Sequence, residues 1–520
     1  MTLAPIDIAV ITVYAVSIFA LAQWVSREKA SHRKDAQDYF LAGRSLPWWA
    51  IGTSLIAANI SAEQIIGMSG SGYVIGLGIA SYEWMAALTL IIVGKYFLPI
   101  FLKNGIYTMP EFLERRFSSK VRTVMAIFWL GVYIFINLTA ILWLGATAVH
   151  TVTGVNVETA LIALGVFAGA YALYGGLKAV ALTDIVQVSL LILGGLIISY
   201  IALNRISGGS GVIAGFHLLT ARFPGKFQMI LPASCPNYKD LPGLSVLLGG
   251  MWVMNVSYWG FNQYIIQRAL GAKDIREAQK GIVLAAFLKL LMPVIIVLPG
   301  IAAAALVPRL ARADEAYPSL MAMLPTGILG LVFAALIAAI VASMGSKINS
   351  IATIFTMDVY RPLRPQTSQQ RLVLIGRLTA VTALLIAILA AKPLLGSFDQ
   401  AFQYIQEFTG FFTPGICVIF LLGMFWERCS ATGAMSAAIG SAVLSLALKF
   451  FWPSLPFMDR VGLVFLACLG LAVVLSLLQT RRDPALRVEL KQIDYSTSVG
   501  FNVSALLVTA ILIALYATWW

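Results

Sequence analysis

The sequence predicts an all-α polytopic membrane protein of about fourteen transmembrane helices, and three observations carry that prediction. Of 520 residues, 60% are hydrophobic and only 11% are charged, with a mean hydropathy of +0.87. Runs of roughly 20 apolar residues recur along the whole length, each long enough to cross a hydrocarbon layer of about 30 Å as a helix. The connections between them alternate between rich and poor in Lys and Arg. A soluble core cannot absorb so much apolar side chain, and in lipid the backbone must satisfy its own hydrogen bonds, which leaves helices.

The spans read 5–25, 47–66, 75–101, 121–149, 157–174, 177–203, 243–267, 281–308, 325–358, 372–394, 398–425, 430–451, 461–479 and 499–520. The first carries Asp7 near its start and reaches Val25 without a small-residue cleavage site, so it is expected to stay as a helix rather than leave as a signal peptide. Arg27, Lys29, Arg33, Lys34 and Arg44 follow it; Lys103, Arg115, Arg116 and Lys120 follow the third span, and Lys178 the fifth. Further clusters are Arg268, Lys273, Arg276 and Lys280; then Arg361, Arg364 and Arg371; then Arg428; and then Arg481, Arg482, Arg487 and Lys491. Every second connection is thus the richer, which predicts a multi-pass chain with both termini extracytoplasmic. The long outward connection, 204–242, runs against this contrast with Arg205, Arg222, Lys226 and Lys239, and long loops weigh little on orientation.

A formal charge of +13 raises the question of nucleic acid, but the basic residues sit in short clusters between apolar runs rather than on one face, so no nucleic-acid partner is expected. Cys417, Cys429 and Cys468 lie in or beside apolar segments, and Cys235 is alone in a polar loop, so neither a metal site nor a disulfide framework is implied.

Two spans differ from plain membrane helices. Gly52 to Gly72 reads GTSLIAANISAEQIIGMSGSG, mixing Asn59, Ser61, Glu63 and Gln64 into an apolar run before breaking at glycines. Gly249 to Gln267 reads GGMWVMNVSYWGFNQYIIQ, with a similar mixture. They head two successive groups of five spans, 47–203 and 243–425, flanked by a leading helix with its loop (1–46), the outer connection (204–242) and three peripheral helices (426–520). Interrupted helices in corresponding positions point to a midplane binding site between two inverted repeats, a 5+5 core; the plainer alternative is two polar helices buried in a bundle.

Ionisable groups inside spans cost about 2.5–3.5 kcal/mol on insertion scales, so each needs a reason. Glu83 and Lys289 enter their spans from opposite sides and reach middle depths, where they either compensate each other or hold a ligand between them. Asp184, near the inner third of its span, either attracts a cation or caps local donors. Lys95 and Lys449 are close enough to span ends to snorkel, whereas Lys347, in the cytoplasmic half of a long span, is harder to place. A sugar presents hydroxyls that donate and accept, so its site needs amides, a carboxylate, an ammonium and an aromatic face. Gln64, Glu83, Asn255, Lys289 and Gln406 supply the polar set, and Tyr82, Tyr258, Trp259 and Phe402 the aromatic one. Asn255 and Tyr258, like Phe402 and Gln406, share helical faces, although such residues are also common glue in membrane bundles.

The stretch from Tyr39 to Phe117, with FLAGRSLPWWAIGTSLIAANISAEQIIGMSGSGYVIGLGIASYEW and GKYFLPIFLKNGIYTMPEFLERRF, resembles the sodium/solute symporter family and, within it, the sodium/glucose branch. The resemblance continues through YGGLKAVALTDIVQ at 174–187, NVSYWGFNQYIIQRAL at 255–270, INSIATIFTMDVYRP at 348–362 and QYIQEFTGFFTPGI at 403–416, and so covers nearly the whole chain. It implies alternating access driven by sodium, in a bacterial inner membrane, with a small sugar as solute. By position, Gln64, Glu83, Asn255, Lys289 and Gln406 match the family's sugar contacts; Met68, Tyr82 and Phe402 match its outer gate, and Tyr258 its inner gate, with Trp259 beside it. The sodium site is expected at Ala57, Ile60, Ala339, Ala342 and Ser343, with Asp184 on the exit path. Two departures are visible. Ala86 stands where galactose-carrying members have a serine, and Ala342 stands where the sodium site usually offers the first of two adjacent hydroxyls. Sodium prefers several oxygen ligands, so a lost hydroxyl is expected to weaken the site.

The leading expectation is a sodium-coupled hexose symporter importing a galactose-like or glucose-like sugar. A carrier of a polyol or another small polar solute is the alternative, which competition among sugars, polyols and amino acids separates. A membrane enzyme is disfavoured because His32, His150 and His217 fall in or beside loops without a matching nucleophile or metal-ligand partner. A sugar sensor would bind tightly without counterflow.

Overall fold

A computed structural model describes residues 3–26, 40–396, 401–479 and 488–520, with the side chains of 22, 23, 25, 26, 171–180, 401 and 404 left aside. The basic residues Arg27 to Lys34, His32 and Arg481 to Arg487 lie outside the described residues, as does the side chain of Lys178.

The described chain is helical, and no strand occurs in it; an isolated bridge joins Leu46 to Ala272. The main helices are α1 (Pro5–Ser26), α2 (Trp48–Asn59), α3 (Ser69–Val74), α4 (Ser81–Ile92), α5 (Ser119–Gly131), α6 (Thr139–Thr153) and α7 (Val157–Ile206). They continue with α8 (Gly250–Phe261), α9 (Gln263–Leu270), α10 (Ile275–Ile295), α11 (Val297–Leu306), α12 (Ile328–Ile354) and α13 (Gln369–Leu395). The last are α14 (Ala401–Gly410), α15 (Thr413–Phe425), α16 (Ala431–Phe451), α17 (Phe457–Leu478) and α18 (Val499–Thr518). Among the described residues, 9 helical runs are long and apolar enough to cross a membrane. The chain is therefore an integral membrane protein.

Burial separates core from periphery. The window of the Ile328–Leu363 run is 83% buried, against 22%, 28% and 17% for α16, α17 and α18, whose exposed residues include Phe450, Leu466 and Leu506. Apolar side chains on those outer faces belong in lipid, where exposure costs nothing.

Both polar spans are interrupted. The first breaks at Ile60, whose φ of −78° and ψ of 109° are extended, and not at the glycines after Gln64. The cause is local: the Gln64 Oε1 accepts from Ser61 N at 3.3 Å and Ser61 Oγ at 2.9 Å, which competes with helical pairing just past the break. A π-helical stretch, Glu63–Met68, then leads into α3. The second breaks at Asn262, also extended at φ −82° and ψ 120°, between α8 and α9. Ser54 meets Arg268 at 3.0 Å and Asn59 meets Tyr258 at 2.8 Å, so α2 and the α8–α9 pair run antiparallel past each other with their breaks close together.

Other boundaries differ from expectation. Spans 157–174 and 177–203 form one 50-residue helix, α7, because Gly175 and Gly176 weaken a helix without removing a backbone donor, as proline would. Span 281–308 is divided at Ile296, three residues after Pro293, and span 398–425 between Gly410 and Thr413. Three further π-helical stretches occur among the described residues, at Val93–Phe97, Val132–Leu138 and Phe355–Tyr360.

The connection 204–242 is folded against the helix ends. Lys226 Nζ donates to Tyr73 O at 2.6 Å and Val74 O at 3.1 Å, closing the end of α3, and Met229 N donates to Trp519 O at 2.7 Å. Burial pulls the Lys226 pKa below the ordinary lysine value. That lysine and Arg205, which donates to Met323 O at 2.7 Å, are thus occupied by backbone carbonyls, whereas Arg222 lies over the Phe223 ring.

Candidate functional site

One cavity lies beside the two breaks, and Gln64, Glu83, Asn255, Lys289 and Gln406 all line it, with Met68, Tyr82, Tyr258 and Trp259. The five polar side chains come from five elements: the π stretch, α4, α8, α10 and α14.

Lys289, fully buried, is ion-paired with Glu83, donates to Asn59 Oδ1 and lies 5.0 Å from the centre of the Trp259 ring. A buried ammonium is tolerated only with such partners. Gln64 has its carbonyl engaged by Ser61, and the Asn255 amide donates to Met251 O at 3.1 Å along its own helix. The remaining valences of a carboxylate, an ammonium and three amides converge beside an indole face, which suits a ligand rich in hydroxyls.

Of the residues expected at the gates, Met68, Tyr82, Tyr258 and Trp259 line this cavity, and Phe402 packs against Tyr82. Tyr82 and Phe402 meet edge to face with centroids 5.6 Å apart, and Met68 and Phe402 are each 1% exposed. Gly67 is required there, since a Cβ at that position would stand 2.8 Å from Phe402 Cβ. The Tyr258 hydroxyl accepts from Asn59 Nδ2 and from the Tyr264 hydroxyl, both at 2.8 Å. The cavity is also lined by Phe128, Trp129, Tyr133, Phe412 and Thr413.

The residues expected to hold sodium, Ala57, Ile60, Ala339, Ala342 and Ser343, are all buried. Ser343 Oγ donates to Ala58 O at 3.1 Å, so α12 touches α2 at the carbonyls just before its break. The same oxygen accepts from Lys347 Nζ at 2.9 Å. Lys347 therefore lies on the one side-chain hydroxyl among the residues expected to hold sodium. Ala342 contributes its carbonyl to Ser346 Oγ at 2.8 Å.

Asp184 is fully buried, accepts from Ser54 Oγ at 2.5 Å and lies 4.0 Å from Arg268. Arg268 also donates to Ser54 Oγ, to Tyr264 O at 2.7 Å and to Ser346 Oγ. Asp184 is thus part of a network tying α7, α2, α9 and α12 together.

Sequence reasoning did not assign Asn59, Tyr264 or Tyr133. Asn59 joins the ammonium of Lys289 to the hydroxyl of Tyr258, and Tyr133 hydrogen-bonds Asn262 at the second break. The available signal was an amide inside an apolar run at Asn59, which stood out only as part of a mixture.

The sequence pattern of the Sodium:solute symporter family matches residues 39–440. A sodium/glucose cotransporter of Vibrio parahaemolyticus is 50% identical over 99% of this chain and 98% of its own length. A sodium/myo-inositol cotransporter 2 of Sus scrofa is 32% identical over 87% of this chain and 71% of its own. Among solved structures, the substrate-bound outward-open state of a Na+-coupled sialic acid symporter superposes with a TM-score of 0.81 at 23% identity, covering 93% of this chain and all of that one.

Proposed function

The chain belongs to the sodium:solute symporter family, and from that premise we propose that it imports a hexose of the galactose or glucose type by sodium-coupled symport with alternating access. It is a transporter rather than an enzyme. The observation that carries the sugar reading is the convergence of Gln64, Glu83, Asn255, Lys289 and Gln406 on one cavity beside the breaks at Ile60 and Asn262. The full-length similarity to a sodium/glucose cotransporter supports the same solute class.

In this reading those five side chains and Tyr258 hold the sugar. Met68, Tyr82 and Phe402 close the outer side, and Tyr258 with Trp259 the inner. Sodium lies among Ala57, Ile60, Ala339, Ala342 and Ser343 and leaves past Asp184. The architecture is fourteen spans with a 5+5 inverted repeat, 47–203 and 243–425, in a bacterial inner membrane with both termini outside; the antiparallel crossing of α2 and α8–α9 supports the inversion. One sodium ion moving down 100 mV releases about 2.3 kcal/mol, which sustains roughly a fiftyfold sugar gradient.

The second reading is a polyol carrier, favoured by the named function of the Sus scrofa relative and by Ala86, a methyl one turn after Glu83 where galactose-carrying members have a hydroxyl. Uptake of labelled galactose and glucose into proteoliposomes, with an inward sodium gradient or with potassium or choline in its place, tests the proposal. Sodium-dependent accumulation above the outside concentration is expected. Equilibration indifferent to the cation sinks the coupling, and myo-inositol outcompeting both sugars moves the assignment to the polyol.

A further inference from the structure

Lys347 is one of the buried charged residues that the transport reading leaves unused. It lies one turn after Ser343 on α12, fully buried, with Nζ 2.9 Å from Ser343 Oγ and 4.4 Å from the centre of the Tyr264 ring. Ser343 Oγ in turn reaches Ala58 O, beside the break in α2. This is the same hydroxyl, at the same junction of α12 with α2, that sodium is expected to take.

A monovalent ammonium supplied by the chain and a monovalent metal ion want the same oxygen. Both cannot hold it, because two like charges a hydrogen-bond length apart in a dry interior repel with little screening. The surroundings strengthen the conflict. The charged groups acting on Lys347 are Glu63, from the π stretch, and Arg268, from α9, the latter 4.0 Å from Asp184 on α7. Counted as ionised, these two acids already balance Lys347 and Arg268, so an arriving sodium ion is a surplus charge. The set also contains a place for the ammonium to go: Glu63 lines the cavity, and its Oε1 has no hydrogen-bond partner.

We propose that Lys347 is a tethered competitor for sodium, whose ammonium holds the Ser343 hydroxyl until sodium displaces it toward Glu63. The proposal rests on the sodium-symport reading and adds a residue that sets how much sodium the carrier needs. Ala342 acts in the same direction, since the site has lost one hydroxyl and shares the other. High sodium is then needed to free the site, and the ammonium holds the α12–α2 junction together while sodium is away.

The test is a sodium titration of the full-length protein in proteoliposomes, in wild type, Lys347→Met and the charge-balanced double variant Glu63→Gln/Lys347→Met. Sugar uptake gives one half-saturating sodium concentration, and sodium-induced thermal stabilisation against choline at equal ionic strength gives a second that needs no transport. Releasing one hydrogen bond to a charged group predicts that both midpoints fall by about tenfold when the ammonium is removed. The double variant carries the test if the single one leaves Glu63 too costly to bury. Sodium-dependent uptake with midpoints unchanged or raised in both variants overturns the proposal alone. Uptake and stabilisation indifferent to sodium in all three proteins overturn it together with the symport reading.

Discussion

Lys289 and Glu83 are 206 residues apart in sequence and form an ion pair in which the lysine is fully buried and the glutamate 3% exposed. The pair joins α10 to α4, and the bond from Lys289 to Asn59 adds the end of α2. It is at once a clamp on three elements and the polar centre of the cavity.

Lys289→Met is therefore expected to cost about 3–5 kcal/mol of stability, the penalty for leaving one charge of a buried pair alone. Glu83→Gln/Lys289→Met should regain most of that stability while sugar uptake stays lost. A wild-type melting temperature in the single variant would show that the pair holds nothing together.

Tyr258→Phe removes an acceptor shared by Asn59 and Tyr264. Each unpaired donor costs about 1–3 kcal/mol, enough to speed sugar release by roughly tenfold. Efflux of preloaded sugar is the measurement, and an unchanged efflux rate would remove Tyr258 from the gate.

Gly67→Ala places a methyl 2.8 Å from Phe402 Cβ, so the contact between Phe402, which packs edge to face on Tyr82, and the π stretch must shift. Overpacking of this kind costs about 1–3 kcal/mol, and uptake should fall by roughly tenfold. Gly131→Ala is the control, because its Cβ would meet nothing within 4 Å. Equal uptake by both variants would contradict a tight outer closure at Phe402.

Ala342→Ser adds an oxygen beside Ser343 and is expected to lower the half-saturating sodium concentration by about fivefold, the worth of one modest polar contact. A sodium titration of uptake checks it, and an unchanged midpoint would place the cation away from α12.

Depth and chemistry made part of the cavity's lining legible in the sequence. Glu83 and Lys289 stood out as an acid and a base at matching depths, and Asn255 with Tyr258 as one helical face; the cavity gathers all four. The breaks were legible as polar mixtures, but their positions were not: the extended residue at Ile60 depends on how Ser61 and Gln64 bond each other, which spacing alone does not reveal. Lys347 shows the opposite failure. Ser343 lies four positions before it, so their contact was readable as one face of a helix, but the meaning of the contact came from Ala58 on another element. The fusion of two expected spans into α7 escaped prediction because paired glycines look like a boundary and act as a weak helix.

The π-helical stretch Val132–Leu138 forms part of the cavity wall, through Val132, Tyr133 and Asn137. A π turn holds an extra residue relative to the α-helix on either side. Passing that surplus along by one position rotates each side chain it crosses by about 100°, one residue's share of a 3.6-residue turn, while the flanking helices stay whole. Tyr133, which bonds Asn262 at the second break, faces the cavity from this stretch, so a shift of the surplus by one position would turn it about its helix axis without tilting the flanking helices.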